Sequence, residues 1–258
     1  MRKILFLAFA VSITLVSCKK DKDENGGVFK GPVQDFQHGK AWTWVQIDKD
    51  NKPERIGISI DAEAMNSLDP GDEQNGGHNH ANALSLTFHP KANVTPFVHA
   101  LLDWNPHGHE PAGVYTLPHF DFHFYMTSEA DRKAIPPFEV DNTNFLKLPG
   151  EGYMPAIYAP IPGGVPQMGA HWIDVTTPEL NGGTFTQTFL YGSYNSEVTF
   201  YEPMITKAFL DANPSFVRDF PLPAKFKKSG YYPTKMRIEK INGVTNIVLE
   251  GFVYRQAL

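Results

Sequence analysis

The chain has little cysteine and little charge imbalance. Cys18 is its one cysteine, so no disulfide can close within it. The formal net charge is −5, which supplies no strong pull toward nucleic acid. The apolar run from Ile4 to Val16 is shorter than the about 20 residues that a membrane span takes. It follows the basic start Met1-Arg2-Lys3 and has the length of a signal-peptide core. There is no internal repeat, no visible βαβ order and no G-x-S-x-G nucleophile motif.

The chain is rich in turn formers and aromatics. Proline and glycine number 21 each and aromatics make up 13%, the composition of a turn-rich β protein rather than of a helical bundle. Short runs with strand character recur: 40–47 and 54–60 around a turn, 83–90, 95–105, 114–126, 168–175, and a hairpin over 184–202. In 95–105, strict alternation would put Phe97, His99 and Leu101 on one side and Val98, Ala100 and Leu102 on the other. A last hairpin turns at Asn242-Gly243, the strongest short-range hairpin signal. Short helices are expected after Asp61 and at 128–135, and one opening at Pro203, where a missing N–H costs nothing. The expected fold is all-β with minor α: a single antiparallel β sandwich or partly closed barrel with long Pro/Gly-rich loops. It would run over 31–258, after a signal peptide at 1–17 and a tether at 18–30.

The stretch Leu117 to Met126, LPHFDFHFYM, carries the chemistry. In a strand, residues two apart share a face. Phe120, Phe122 and Phe124 then form an apolar stripe, and His119, Asp121 and His123 share the opposite side. At ~3.3 Å per residue, His119 and His123 lie roughly 13 Å apart, too far to reach one ion with ligand bonds of about 2 Å. Asp121 with one histidine is the expected chelating pair, the other histidine serving to orient the carboxylate.

Further donors lie nearby: His109 in NPHGHEP, His171 in MGAHW and Glu202 in YEPM. His109, His119, Asp121, His123 and His171 are candidate metal ligands for Zn, Fe, Mn or Cu, and Glu202 is a candidate general acid or base; His119, Asp121, His123 and His171 are expected to converge in one pocket, with His109 and Glu202 at its edge. The bland alternatives are a buried polar network, a hydrogen-bonded core histidine at His171, and Glu202 as a cap of the helix after it. His78 and His80 read as solvated loop residues. Trp42, Trp44 and Trp104 would serve a glycan or protein partner if exposed, and the core if buried.

Two resemblances add to this reading. Leu15-Val16-Ser17-Cys18 after an apolar core resembles a bacterial lipoprotein signal with its lipobox. It implies cleavage before Cys18, lipidation there, and placement in the cell envelope as an outer membrane lipoprotein on the periplasmic face or the cell surface. Cysteine, lysine and then acidic residues also resemble the export signal of surface lipoproteins of Bacteroidetes-type bacteria. The stretches HGHEPAGVY, PHFDFHFYM, MGAHWID and FLYGSYNSEVTFYEPMIT together resemble a secreted β-rich domain-of-unknown-function family, which implies no agreed reaction. Cupins are a looser comparison, because Asp121 stands where their H-x-H motif would have its second histidine. The expected role is a lipid-anchored protein that binds a divalent metal or carries a polar network. The alternative is a metal-dependent hydrolase or cupin-like oxygenase or isomerase. The membrane, through the lipid, is the one partner the sequence implies; a small-molecule, glycan or protein partner and an oligomer are left open.

Overall fold

The computed structural model describes residues 26–71 and 83–258. Two antiparallel sheets face each other. One has six strands in the order β1 (Gly27–Phe36), β2 (Gly39–Ile47), β3 (Pro53–Ile60), β14 (Val244–Glu250), β13 (Lys235–Ile241) and β11 (Ser215–Asp219). The other has seven: β4 (Leu84–Thr87), β5 (His99–Asn105), β6 (His119–Tyr125), β10 (Glu197–Thr206), β9 (Gln187–Tyr194), β8 (Ala170–Asp174) and β7 (Tyr158–Pro160). A two-stranded ribbon pairs β12 (Gly230–Tyr232) with β15 (Val253–Arg255). The helices are short: α1 (Ala62–Asn66), α2 (Glu129–Lys133) and α3 (Lys207–Ala212). The sheets do not close into a barrel, so of the two expected β architectures the sandwich is the one formed. Pairing begins at Gly27, inside the stretch expected to be tether.

The core between the sheets follows from alternation. Val45, Ile56, Ile58 and Ile60 from one sheet meet Phe120, Phe122, Phe124, Tyr191 and Tyr201 from the other. At one edge the sheets are tied by Gln34 Nε2 donating to Ser85 O (2.8 Å) and Thr43 Oγ1 donating to Thr87 O (2.7 Å), which covers the short edge strand β4. Trp44 and Trp104 are buried, and their indole N–H groups donate to Ser59 Oγ and Asp69 O. Trp42 is half-buried beneath the Lys30 ammonium, 3.7 Å from the ring centroid. The tryptophans thus serve packing more than display.

Three local expectations are corrected. β6 starts at His119, not Val114, because Leu117 and Pro118 belong to the incoming loop. Phe97 packs in the core with Ala100 and Leu102, so alternation breaks before β5 begins at His99. No helix opens at Pro203: β10 runs on through it to Thr206, whose Oγ1 caps α3 by accepting from Phe209 N. Pro203 stays in the strand through the β10–β9 ladder, where it pairs with Phe189, while the β10–β6 ladder skips Glu202 and Pro203, as a residue without an N–H entails.

Every residue of β5 and β6 is buried, on both faces. The face of the seven-stranded sheet away from the core therefore lies under cover. Two small apolar clusters sit on it: Tyr115, Phe185, Leu190 and Met204 at one end, and Leu101, Tyr125, Met168 and Phe200 at the other. Between them the sequence places polar groups.

Candidate metal centre

His119, Asp121 and His123 project from β6 onto this covered face, opposite the phenylalanine stripe. β10 adds Glu202, β8 adds His171, and the loop after β5 adds His109. All six are buried, with His119, Asp121, His123 and Glu202 at 0–1% exposure. Gly108 makes the position of His109 possible. It adopts φ +68°, and a Cβ there would stand 2.2 Å from Tyr115 O. The close approach lets His109 N donate to Tyr115 O at 2.9 Å.

The six residues divide into two triads, not one pocket. In the first, Asp121 Oδ2 lies 3.3 Å from His109 Nε2, and Asp121 Oδ1 lies 3.2 Å from His119 Nε2. In the second, Glu202 Oε1 lies 3.3 Å from His123 Nε2, and Glu202 Oε2 lies 3.7 Å from His171 Nε2. The two histidines of β6 thus serve different groups, as their spacing along the strand requires. Asp121 does lie against a histidine of its own strand, His119, but the other, His123, turns to Glu202 instead of orienting it. Glu202 lies in a strand and caps no helix.

The tautomers of the first triad can be read from its hydrogen bonds. His109 Nδ1 lies 2.6 Å from Glu110 O and His119 Nδ1 lies 2.6 Å from Leu117 O. A carbonyl only accepts, so each Nδ1 carries a proton and donates it. In the neutral rings both Nε2 lone pairs then face the Asp121 carboxylate. Such back-bonding of the second ring nitrogen is how metal-ligating histidines are held. Asn105 Nδ2 donates to Asp121 Oδ2 at 2.8 Å and fixes the carboxylate.

Charge is tightly constrained here. Burial raises the pKa of Asp121, but the neighbouring His119 and His109 outweigh it and hold the carboxyl well below its ordinary 3.8. Burial lowers His109, and the charge and hydrogen bond of Asp121 overcome this and raise it. Glu202 moves the other way: burial, then the charges of Asp121 and Asp103, push its carboxyl well above 4.5. Either protons or a cation must therefore sit among these groups. The donor separations suit a cation. Two ligands at about 2.0–2.1 Å in a tetrahedron stand ~3.3 Å apart, close to the 3.2–3.3 Å of the first triad.

Gly192 shapes the second triad. A Cβ there would fall 2.0 Å from the Phe200 ring. Its absence lets Phe200 lie against both His123 and His171, with centroids at 5.0 and 5.1 Å. Sequence reading missed Asp103, Asn105 and Tyr115. The signal for the first two was present: Asp103 and Asn105 fall on one side of an apolar strand, in step with His99. Tyr115 gave none, because it comes from a loop. His78, His80 and Cys18 lie outside the described residues.

No protein-family model, curated protein or solved structure matches the chain. Fold and site together define an all-β sandwich carrying buried histidine–carboxylate groups fit to hold a metal ion or to form a polar network.

Proposed function

We propose that this chain is a lipid-anchored cell-envelope protein whose β sandwich binds divalent metal through the triads His109/His119/Asp121 and His123/His171/Glu202. One observation carries the metal reading: two histidines with carbonyl-bound Nδ1 protons turn their Nε2 lone pairs toward one carboxylate at ligand-to-ligand distance. A purely protonic network would need both rings doubly protonated to donate to Asp121, placing two imidazolium ions side by side in a dry site, which is unfavourable. The imidazole and carboxylate donors favour Zn, with Fe, Mn and Cu as competitors. The lipobox-like Leu15 to Cys18 supports the anchor.

The metal reading is tested on protein purified without chelator or metal-binding tag. Bound metal should be found by elemental analysis. It should fall in His119→Ala and again in His123→Ala, with the melting temperature falling alongside. A wild-type protein carrying substoichiometric metal, and indifferent in melting to added Zn, Mn, Fe or Cu, would leave the polar network as the account.

A second reading, a metal-dependent enzyme, draws on the donor count. Two histidines and one carboxylate per ion match the donor set of catalytic zinc, which keeps a fourth position for water. The Co(II)-substituted protein discriminates. A visible spectrum that shifts with added azide means a reachable open position; an unchanged spectrum means a closed site.

A further inference from the structure

The sandwich carries a cavity of about 750 Å³ at the end where β6 stops and β10 and β12 start. That volume lies within the roughly 300–1,000 Å³ of small-molecule sites. Its apolar wall comes from Val94, Met126, Val198, Tyr201, Phe226 and Tyr232. The three aromatic residues belong to the core between the sheets, so the cavity borders that core. Phe226 and Tyr232 pack ring on ring, with centroids 4.3 Å apart. Tyr201 and Glu202 are neighbours on β10 and point to opposite faces of the sheet. The sheet therefore separates this cavity from the triads.

The mouth of the cavity has a surplus of positive charge. Lys225, Lys227 and Lys228 come from one exposed segment and all line it. Lys227 Nζ is paired with Glu197 Oε1 at 2.7 Å. Lys225 Nζ donates to a backbone carbonyl, Glu151 O, at 3.1 Å. Among the described residues neither Lys225 nor Lys228 has a carboxylate partner. The Tyr153 ring keeps two of the ammonium groups at the mouth, with Lys225 Nζ 6.0 Å and Lys227 Nζ 5.8 Å from its centroid. The second carboxylate of the lining, Asp131, accepts from Ser128 Oγ at 2.6 Å. Three ammonium groups against two carboxylates leave the mouth positive, in a chain whose net charge is −5. Two lining hydroxyls that could donate to a neutral sugar already donate to the protein: Tyr232 to Lys228 O at 2.9 Å and Thr95 to Ala92 O at 2.8 Å. A positive mouth over an aromatic floor favours a ligand with an anionic head and a flat apolar body.

We propose that this end cavity binds a small aromatic carboxylate, its ring on Tyr201, Phe226 and Tyr232 and its acid group at Lys225 and Lys228. The inference stands apart from the metal reading, because no residue of the lining is a triad donor.

The test is calorimetric titration of the full chain at low salt with naphthoate, neutral naphthamide and cationic naphthylmethylammonium, which share one ring body. One naphthoate per chain is expected, bound about tenfold more tightly than naphthamide, with the cation weakest. Added salt should weaken naphthoate and leave naphthamide unchanged. Lys225→Glu combined with Lys228→Glu should bring naphthoate down to the level of naphthamide. Val198→Trp, which fills the cavity, should remove both. Equal affinity of the wild type for naphthoate and naphthamide would overturn the anionic ligand. Naphthoate binding that survives the lysine replacements and Val198→Trp would overturn the site, as would a wild type that binds none of the three. If Val198→Trp does not fold, the replacements of the two exposed lysines still decide the matter.

Discussion

Asp121 holds a histidine Nε2 at each of its two oxygens, and Glu202 does the same with His123 and His171. Their opposite pKa shifts give the metal-free protein a definite pH dependence. Glu202 is raised, so the folded state keeps a proton that an unfolded chain loses near 4.5, and stability falls as pH rises above that value. His109 is raised too; its contribution is complete below 6.5 and lost as pH climbs through its folded value. Asp121 is depressed, and its contribution is present above 3.8 and lost as pH drops through its folded value. The chelator-treated protein should therefore melt highest at about pH 4–6. Metal should move the maximum toward neutral pH, because its ligands must be deprotonated. Melting curves between pH 4 and 8, with and without metal, check this. Glu202→Gln should remove the decline that starts near 4.5 in the metal-free form. A metal-free protein whose melting temperature rises steadily to pH 8 would contradict these assignments.

At the scale of elements, β6 carries the design: its inner stripe builds the core and its outer stripe supplies a donor to each triad. Phe122→Ala should cost about 3–5 kcal/mol by chemical denaturation, as truncation of a fully buried aromatic does. A loss below about 1 kcal/mol would mean that the stripe is not in the core. Gly192→Ala should push the Phe200 ring off the second triad and weaken metal binding there, leaving the first triad intact. A titration that resolves two binding steps would detect it. This strand was legible in the sequence because period-two alternation is a local property: Phe120 to Phe124 and His119 to His123 sort by parity alone. That His119 and His123 do not share one ion was legible from the rise per residue; that His123 belongs to a second group with Glu202 was not, because the reading had it orient Asp121. What could not be read was tertiary. Pro203 looked like a helix start, yet its pairing with Phe189 on β9 keeps it in a strand, and that pairing exists only once the strands assemble. Asp103 looked like a lone polar residue in an apolar strand until the register placed it against Asp121. Phe97 left the parity of its neighbours because β5 begins after it.

In the proposed account the whole molecule joins a lipid anchor to a closed polar interior. Among the described residues no helix is long and apolar enough to cross a membrane. Membrane attachment in the proposed account rests on Cys18 alone. A single acyl chain binds membranes only marginally, so the multiple acylation of a lipoprotein is what would hold the protein there. Cys18→Ala should move the protein from the membrane to the soluble fraction; unchanged partitioning would remove the anchor from the account. The metal account is independent of that result, because every donor belongs to the sandwich. Its most direct test is the metal content of the purified, chelator-free chain, measured by elemental analysis against protein concentration. The account predicts two divalent ions per chain, falling in Asp121→Ala and in Glu202→Ala. A wild-type chain that stays metal-free after incubation with Zn, Mn, Fe or Cu, and melts at the same temperature throughout, would contradict it.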